Sequence, residues 1–276
     1  MKKSTLQIHT KIANDLMYYI YKYVDTEIDL DELSHDFGIS KFHMHRIFKK
    51  EFGKNIYESI KSIRLQKASS LLLTNPHSTI SEIANLCGYS SHASFIKAFK
   101  MKFDMTPSTW RQKEHQQCYI NIYEELDIKI VKMPKIQVHY IRHIGYDINI
   151  KRTWQKLQAW IYSNNIKMYR QIALYHDNPT ITSLDKCHYI ACISTDEIKK
   201  DSSLPTLNIP KGIYAQFDFS GRYGDILKFM HWVYFVWLPK NNYETTTNPA
   251  YTIYHKNHFI DDSEIFEVSY YLPIKL

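Results

Sequence analysis

The sequence predicts two domains, an all-α domain followed by an α+β domain. Up to about residue 118 the apolar residues recur at helical spacing, whereas after residue 120 short runs rich in β-branched and aromatic residues are bounded by Pro, Gly, Asn and Asp. Each half also contains an internal repeat, which constrains the architecture further. The chain has 276 residues, 44% of them hydrophobic, which is enough for two cores. We place the first domain at residues 1–113, a linker at 114–123 and the second domain at 124–276.

The first domain is predicted to contain about seven short helices and no strand. Ile8, Ile12, Leu16 and Ile20 form the apolar stripe of the first helix. Residue types that cap helix N-termini precede the later helical segments, and Pro107 follows one of them at a position where a helix tolerates proline. The predicted caps are Asp29, Ser40, Thr79 and Thr106.

A repeat inside this half predicts a doubled helix–turn–helix. The segment "LDELSHDFGIS" (30–40) is similar to "ISEIANLCGYS" (80–90) at an offset of 50, and beyond the turn the offset becomes 51, so that Phe48 matches Phe99. In the first copy, Gly38 is the turn residue that can adopt positive φ and Ser40 caps the second helix. On a helical wheel, Met44, Ile47, Phe48 and Phe52 form the inner face, and Phe42, His45, Arg46 and Lys49 lie opposite them.

Charge indicates a polyanionic partner for this half. Residues 40–113 hold 13 Lys and Arg against four acidic residues, a net charge of +9, whereas the whole chain carries +7. Such a basic stretch between near-neutral ends is typical of nucleic-acid binding. His43 and His45 lie two positions apart, about 200° around a helix, so they cannot share a metal ion. A membrane-surface helix is disfavoured because the stretch belongs to a regular repeat with buried partners.

These motifs resemble the DNA-binding domain of the AraC/XylS family of bacterial transcription regulators, over about residues 7–113. The tail "GYSSHASFIKAFKMKFDMTPSTWR" carries the most specific part of the match. The resemblance implies that two recognition helices enter successive major-groove segments on one face of double-stranded promoter DNA. By position, it implies base contacts from Phe42, His45 and Arg46 in the first helix and from His92, Ala93, Ser94 and Lys97 in the second. Ala93 offers only an apolar contact, so the second helix is expected to read less sequence.

Basic residues around these helices are expected to contact phosphates, with salt-sensitive affinity. The candidates are Lys41, Lys49, Lys54, Arg64, Lys100 and Arg111. The alternative for all of these positions is a small helical bundle whose charges are merely solvated.

The second half is predicted to contain six strands and two helices, near residues 150–163 and 224–237. The segment at 134–145 matches the segment at 210–221 at an offset of 76, with Trp154 and Trp232 at corresponding places, which predicts a duplicated strand–strand–helix unit. The predicted strands are "LDIKIVKMP", "IQVHYIRHI", "HYIACIST", "IYAQFDFSG", "AYTIYH" and "IFEVSYYLPI".

This half resembles the GyrI-like effector-binding domain, over about residues 122–276, on the stretches "ALYHDNPTITSLDKCHYIACIST" and "FEVSYYLPIKL". The resemblance implies a pseudo-two-fold α+β module with a ligand cleft where the repeats meet, in the domain order of Rob-type regulators. Where this family commonly carries an acidic residue the chain has Ser269, and Glu267 is the nearest acid on the same strand face. The candidate ligand-binding residues are Trp154, Tyr175, Phe219, Trp232, Glu267, Ser269 and Tyr271.

The aromatic density of this half favours a flat or lipophilic cationic ligand. Core filling by the aromatic residues and a surface position for Glu267 are the alternatives. Glu267 would also permit a hydrolase, and a domain without ligand would serve to dock RNA polymerase or another protein.

The sequence therefore predicts a transcription regulator that binds promoter DNA and senses a small-molecule effector, as a monomer or a homodimer. We expect no catalytic residue, cofactor, metal site or membrane association. The four cysteines have neither disulfide nor zinc spacing, which favours reduced thiols and a cytoplasmic location.

Overall fold

The computed structural model describes residues 3–112, 123, 126–197, 203–261 and 263–275. The chain forms two compact units, one made mainly of residues 3–112 and the other mainly of residues 126–275. The predicted linker at 114–123 lies, apart from Tyr123, outside the described residues.

The first unit is helical throughout its described residues, as predicted. Ser40 and Thr79 cap their helices by accepting backbone N–H groups, from His43 and Glu82 respectively, and Glu82 completes a capping box. Gly38 adopts the expected positive φ, 61°. The seven helices are α1 (Lys3–Lys22), α2 (Leu30–Asp36), α3 (Lys41–Phe52), α4 (Ile56–Thr74), α5 (Ile80–Leu86), α6 (His92–Phe103) and α7 (Pro107–Gln112).

Helix α4 joins two small cores. Residues of its first half, such as Ile60, pack with buried residues of α1, α2 and α3. Residues of its second half, such as Leu72, pack with α5 and α6 and with Trp110 of α7. With 19 residues, α4 is about 28 Å long. It therefore forms a rigid bar with one helix–turn–helix at each end.

The second unit contains a sheet of nine strands within its described residues, and every pairing is antiparallel. The strands are β1 (Ile128–Met133), β2 (Ile136–Ile144), β3 (Arg170–Tyr175), β4 (His188–Ser194), β5 (Thr206–Ile209), β6 (Gly212–Arg222), β7 (Glu244–Thr245), β8 (Ala250–Lys256) and β9 (Ile265–Lys275). Strands β3, β5 and β7 were not among the predicted runs. The helices are α8 (Ile150–Ser163) and α9 (Asp225–Trp232), and α9 continues through a π-helical turn, Val233–Trp237, into Leu238–Lys240.

The strand order shows the predicted duplication in a longer form. The order is β1-β6-β9-β8-β3-β4-β2-β5, so each copy runs strand, strand, helix, strand, strand. The first strand of each copy pairs with the second strand of the other: β1 with β6, and β5 with β2. The pairing of β2 with β4 has the same register as the pairing of β6 with β9. His143 pairs with Tyr189 in the first copy, and the corresponding pair in the second copy is Phe219 with Val268. A pseudo-two-fold axis therefore passes between β3 and β8.

Both long helices cover the same face of this sheet. Trp154 of α8 donates to the Tyr189 hydroxyl at 2.9 Å, and Phe229 of α9 stacks on Phe219 at a centroid distance of 4.5 Å. We call this the helix-covered face. Alternation along the strands directs the neighbours of Phe219 to the opposite face.

Candidate nucleic-acid interface and ligand cleft

Helix α3 is the first of two candidate recognition helices, which we call readers. It has the buried face and the exposed face that the helical wheel predicts. Met44, Ile47 and Phe48 are buried, whereas Phe42 is 78% exposed and Arg46 is exposed. The helix ends at Gly53, which adopts the left-handed conformation that closes many helices. The outer face is therefore an exposed surface that carries an aromatic ring and a guanidinium group.

Tyr57, in the first turn of α4, extends this surface and was not predicted. Its ring lies 5.8 Å from the ring of the half-buried His45, and the residue is 57% exposed. The contact depends on how the chain turns between α3 and α4, which residue spacing alone does not reveal.

The second candidate reader, α6, repeats the same construction. Ser91 caps it, Phe95 and Phe99 are fully buried, and the residues predicted to face outward are all exposed. Those residues are His92, Ala93, Ser94 and Lys97. The Ser94 hydroxyl donates to the Ser91 carbonyl at 2.8 Å, which leaves its oxygen lone pairs for a partner. Met101, one turn beyond Lys97, is 70% exposed and adds apolar surface.

Two of the six expected phosphate contacts are corrected by the structure. Arg64 donates through Nε to the Val24 carbonyl at 3.1 Å and through Nη2 to the Thr26 carbonyl at 2.6 Å. Arg111 donates to the carbonyls of Leu72 and Ser78 at 3.2 and 2.7 Å. Carbonyls at and beyond helix ends lack helical partners, and these guanidinium groups satisfy them. Both arginines therefore hold the fold together, and we no longer assign them to DNA.

The four lysines of the set remain accessible. Lys49, Lys54 and Lys100 are exposed, and Lys41 forms an ion pair with Asp31 at 2.8 Å. An exposed pair of this kind contributes little stability, so Lys41 can exchange its carboxylate for a phosphate.

His43 packs against His9, and partial burial and the charge of Arg46 lower its pKa. No three His, Cys, Asp or Glu side chains among the described residues are placed to hold a metal ion. Of the helices in the described ranges, none combines the length and apolar character needed to span a bilayer.

Tyrosine hydroxyls dominate the centre of the helix-covered face in the second unit. Tyr189 accepts from Trp154 and lies 3.4 Å from the Tyr254 hydroxyl, and Tyr254 also hydrogen-bonds Tyr175. Tyr175 accepts from Thr252 at 3.2 Å. Desolvation raises the pKa of Tyr175 to about 12 and holds the pKa of Tyr189 and Tyr254 well above the ordinary tyrosine value, so the network is neutral at ordinary pH. Tyr146 hydrogen-bonds Tyr175, and Tyr270 donates to Tyr234 at 3.2 Å.

Within the described part of the chain, no Asp or Glu hydrogen-bonds the hydroxyls of Tyr175, Tyr189 or Tyr254. In the described residues, the groups that shift the pKa of Tyr175, Tyr189 and Tyr254 are other tyrosines, Thr252 and Trp154. None of them is acidic.

The structure also corrects the candidate ligand set, because its members lie on two faces of the sheet. Trp154, Tyr175, Phe219 and Trp232 belong to the helix-covered face, since each contacts a ring of that face. Residues at 267, 269 and 271 alternate with Val268 and Tyr270 and point away from it. Accordingly Glu267 is exposed, Ser269 hydrogen-bonds Asp218 and His255, and Tyr271 stacks on Tyr251. Glu267, Ser269 and Tyr271 are therefore removed from the proposed cleft.

Comparison with known proteins agrees with this architecture. A family described as a GyrI-like small molecule binding domain matches residues 126–275, which is more than half of the chain. A second family, described as a helix-turn-helix domain, matches residues 33–113.

Three relatives from Escherichia coli are similar to part of the chain. The chain is 31% identical over 105 residues to the regulatory protein SoxS of strain K12, a match covering 38% of this chain and 97% of SoxS. It is 35% identical over 109 residues to the transposon Tn10 TetD protein, covering 39% of this chain and 78% of TetD. The match to the xylose operon regulatory protein of strain K12 is 37% identical over 95 residues and covers 34% of this chain but only 24% of that relative.

The matches to SoxS and TetD span most of each relative, and the GyrI-like match spans nearly the whole second unit. The chain therefore belongs to the GyrI-like small molecule binding family, joined to an AraC-type helix–turn–helix domain.

Proposed function

We propose that this protein is a cytoplasmic transcription regulator that binds a specific double-stranded promoter sequence through α3 and α6. The observation that carries the proposal is the mounting of two equivalent capped helices on α4. That helix is about 28 Å long, close to the roughly 34 Å helical turn of B-DNA. Two readers at this spacing suit successive major-groove segments on one side of a duplex.

The outer faces of the readers supply both kinds of contact that such binding needs. Arg46 can form a bidentate pair with guanine, Lys97 can donate to guanine, and Phe42 can pack on a thymine methyl group. Lys49 and Lys100 occupy equivalent exposed positions beside them, where phosphate contacts would set the register.

The site can be found by selecting bound duplexes from a random pool with the full-length protein at moderate ionic strength. We expect one enriched sequence with two short blocks about one helical turn, 10 base pairs, apart. Selection that enriches no sequence over the starting pool would contradict the proposal. An Arg46→Ala, Lys97→Ala double variant is the matched control and should enrich much more weakly.

For the second domain we propose that an aromatic small molecule binds on the helix-covered face and regulates DNA binding. Membership of the GyrI-like family and the density of tyrosine and tryptophan on that face support this proposal. Hydrolysis is not proposed, because Glu267 lies exposed on the other side of the sheet.

A melting-temperature screen with paired neutral and cationic aromatic compounds tests ligand sensing. We expect stabilisation by members of the neutral set, since the tyrosine network offers hydroxyls rather than a carboxylate. Stabilisation confined to the cationic members would contradict the preference for neutral compounds. A screen without any response would favour a domain that docks RNA polymerase or another protein.

A further inference from the structure

Two buried tryptophans on the helices of the second domain differ in their hydrogen bonding. They were predicted to correspond, but the offset of 76 that aligns the buried residues of α8 and α9 pairs Trp154 with Met230. In the first copy, the indole N–H of Trp154 donates to the Tyr189 hydroxyl at 2.9 Å. In the second copy, Trp232 is 3% exposed, and its indole nitrogen has no hydrogen-bond partner among the described residues. A buried donor without an acceptor costs free energy comparable to a lost hydrogen bond, so it calls for an explanation.

The two copies also differ at the strand position that carries the acceptor of Trp154. Tyr189 pairs with Tyr175 in the first copy, and the corresponding pair in the second copy is Val268 with Tyr254. Valine therefore stands where the first copy has the accepting hydroxyl. The second copy lacks an acceptor at the one strand position where its counterpart provides one.

The ring of Trp232 and two phenylalanine rings together hold a fourth ring. Phe219 and Phe229 stack at 4.5 Å, and Phe229 lies 6.3 Å from Trp232. We call Phe219, Phe229 and Trp232 the aromatic box. The ring of Tyr123 lies 5.5 Å from each of these three rings, nearly perpendicular to Phe219 and Phe229. The box thus accommodates a flat six-membered ring.

The charges around the box favour a neutral ring over a cation. Desolvation raises the pKa of Tyr123, and the negative charge of Asp225 adds to this shift. Its carboxylate already accepts from the Arg222 backbone N–H at 2.9 Å and from Lys228 at 3.2 Å, contacts that lower the pKa of Asp225. A cation would therefore find this negative charge already compensated.

Resting on the ligand-sensing part of the proposed function, we propose that the aromatic box binds a flat, neutral aromatic molecule bearing a hydrogen-bond acceptor. The acceptor takes the hydrogen of the Trp232 indole, and the ring takes the place that Tyr123 now holds. Tyr123 is the last residue of the predicted linker, so the exchange occurs where the linker meets the second domain.

The test uses quinoline and naphthalene, two flat molecules of equal size of which only quinoline carries an acceptor nitrogen. The full-length protein is labelled with ¹⁵N at its five tryptophan indoles, and the Trp232 resonance is assigned by its loss in Trp232→Phe. We expect quinoline to move the Trp232 N–H resonance downfield and naphthalene to leave it without such a shift. The Trp154 resonance is the internal control, because its hydrogen is already donated to Tyr189.

A second variant keeps the test decisive should Trp232→Phe fold poorly. Tyr123 is half-buried, and Tyr123→Ala empties the box without touching the sheet, so quinoline should bind about threefold to tenfold more tightly to it. The proposal is overturned if quinoline leaves the Trp232 resonance unmoved in both the wild type and Tyr123→Ala. It is equally overturned if quinoline and naphthalene shift that resonance alike. Neither result would alter DNA selection by α3 and α6, and binding of other compounds in the melting screen would still support sensing elsewhere.

Discussion

The two helix–turn–helix copies share their buried scaffold and differ on their outer faces. Helices α3 and α6 each have 12 residues, a serine N-cap, a buried phenylalanine at the same place and a left-handed residue at the C-terminus. At equivalent outward positions, however, Phe42 corresponds to Ala93 and Arg46 to Lys97. Folding constrains the inner face alike in both copies, whereas the outer face is free to diverge. The first reader consequently has the larger capacity for specific contacts.

The second domain follows the same rule in its interior. Its copies keep matching strand registers as far as Tyr254, where β8 has a register shift, yet Tyr189 of one copy corresponds to Val268 of the other. The sheet pairing is therefore kept while the side chain at an equivalent buried position differs.

The largest expected effect is on stability, and it differs between the turn glycines Gly88 and Gly38. A Cβ at Gly88 would lie 2.5 Å from the Val24 carbonyl oxygen and 2.7 Å from the Arg64 guanidinium carbon, at a φ of +74°, whereas Gly38, at +61°, has open space. We expect Gly88→Ala to lower the free energy of unfolding by roughly 2 to 5 kcal/mol and Gly38→Ala by about 1 kcal/mol. Urea unfolding followed by the helical circular dichroism signal measures both. Equal losses would show that the two turns are equivalent.

The next largest effect is on DNA sequence discrimination by α3 and α6. We expect Arg46→Ala to reduce discrimination between the selected site and random DNA by about 1 to 3 kcal/mol, and Lys97→Ala by about 1 kcal/mol, because an ammonium group lacks the bidentate fork of arginine. Equilibrium binding to both duplexes, with unfolding curves as the control for folding, measures the difference. A larger loss from Lys97→Ala would reverse the ranking of the two readers.

A third comparison tests the hydroxyl network. Tyr189→Phe removes the acceptor of the Trp154 indole, so we expect the free energy of unfolding to fall by about 1 to 2 kcal/mol. Tyr251→Phe is the matched control, since Tyr251 is also buried but its hydroxyl has no partner in the described chain. That change should be neutral or slightly stabilising by chemical unfolding. A neutral Tyr189→Phe would contradict the asymmetry between the copies.

The smallest effects on DNA affinity are expected at positions where the two helix–turn–helix copies carry the same residue. Lys49 and Lys100 are equivalent and exposed, so Lys49→Ala and Lys100→Ala should weaken binding to all duplexes to the same modest degree. Each should reduce the slope of log affinity against log salt concentration by about 0.9. A salt titration with selected and random duplexes checks this. A change confined to the selected duplex would mean that the lysine reads bases.

Much of the fold could be predicted because periodicity and repeats report directly on it. The strand at 136–144 and the helix at 150–163 were predicted with the bounds that the structure has, since their hydrophobic periodicity is clear. Strands β5 and β7 are short, with four and two residues, and form only through pairing with distant strands. No local pattern marks such segments.

The sequence predicts a site residue correctly where its position depends on a single helix or strand, and not where it depends on contacts between distant segments. A wheel identifies the outer face of α3, but the carbonyls that occupy Arg64 and Arg111 lie 33 to 40 residues away in sequence. Strand alternation correctly grouped Glu267 with Ser269, yet which face the helices cover is a property of the assembled sheet. Likewise, the burial of the Trp232 indole without an acceptor among the described residues is a property of the assembled domain.

The central claim, that α4 holds two readers at a set distance, is tested most directly by changing the DNA between their half-sites. Affinity of the full-length protein is measured for the selected duplex and for versions lengthened between its two blocks by about 5 base pairs, half a helical turn. A rigid pair of readers predicts that this insertion lowers affinity at least tenfold, to the level of a single block. Affinity that is unchanged by the insertion would contradict the account.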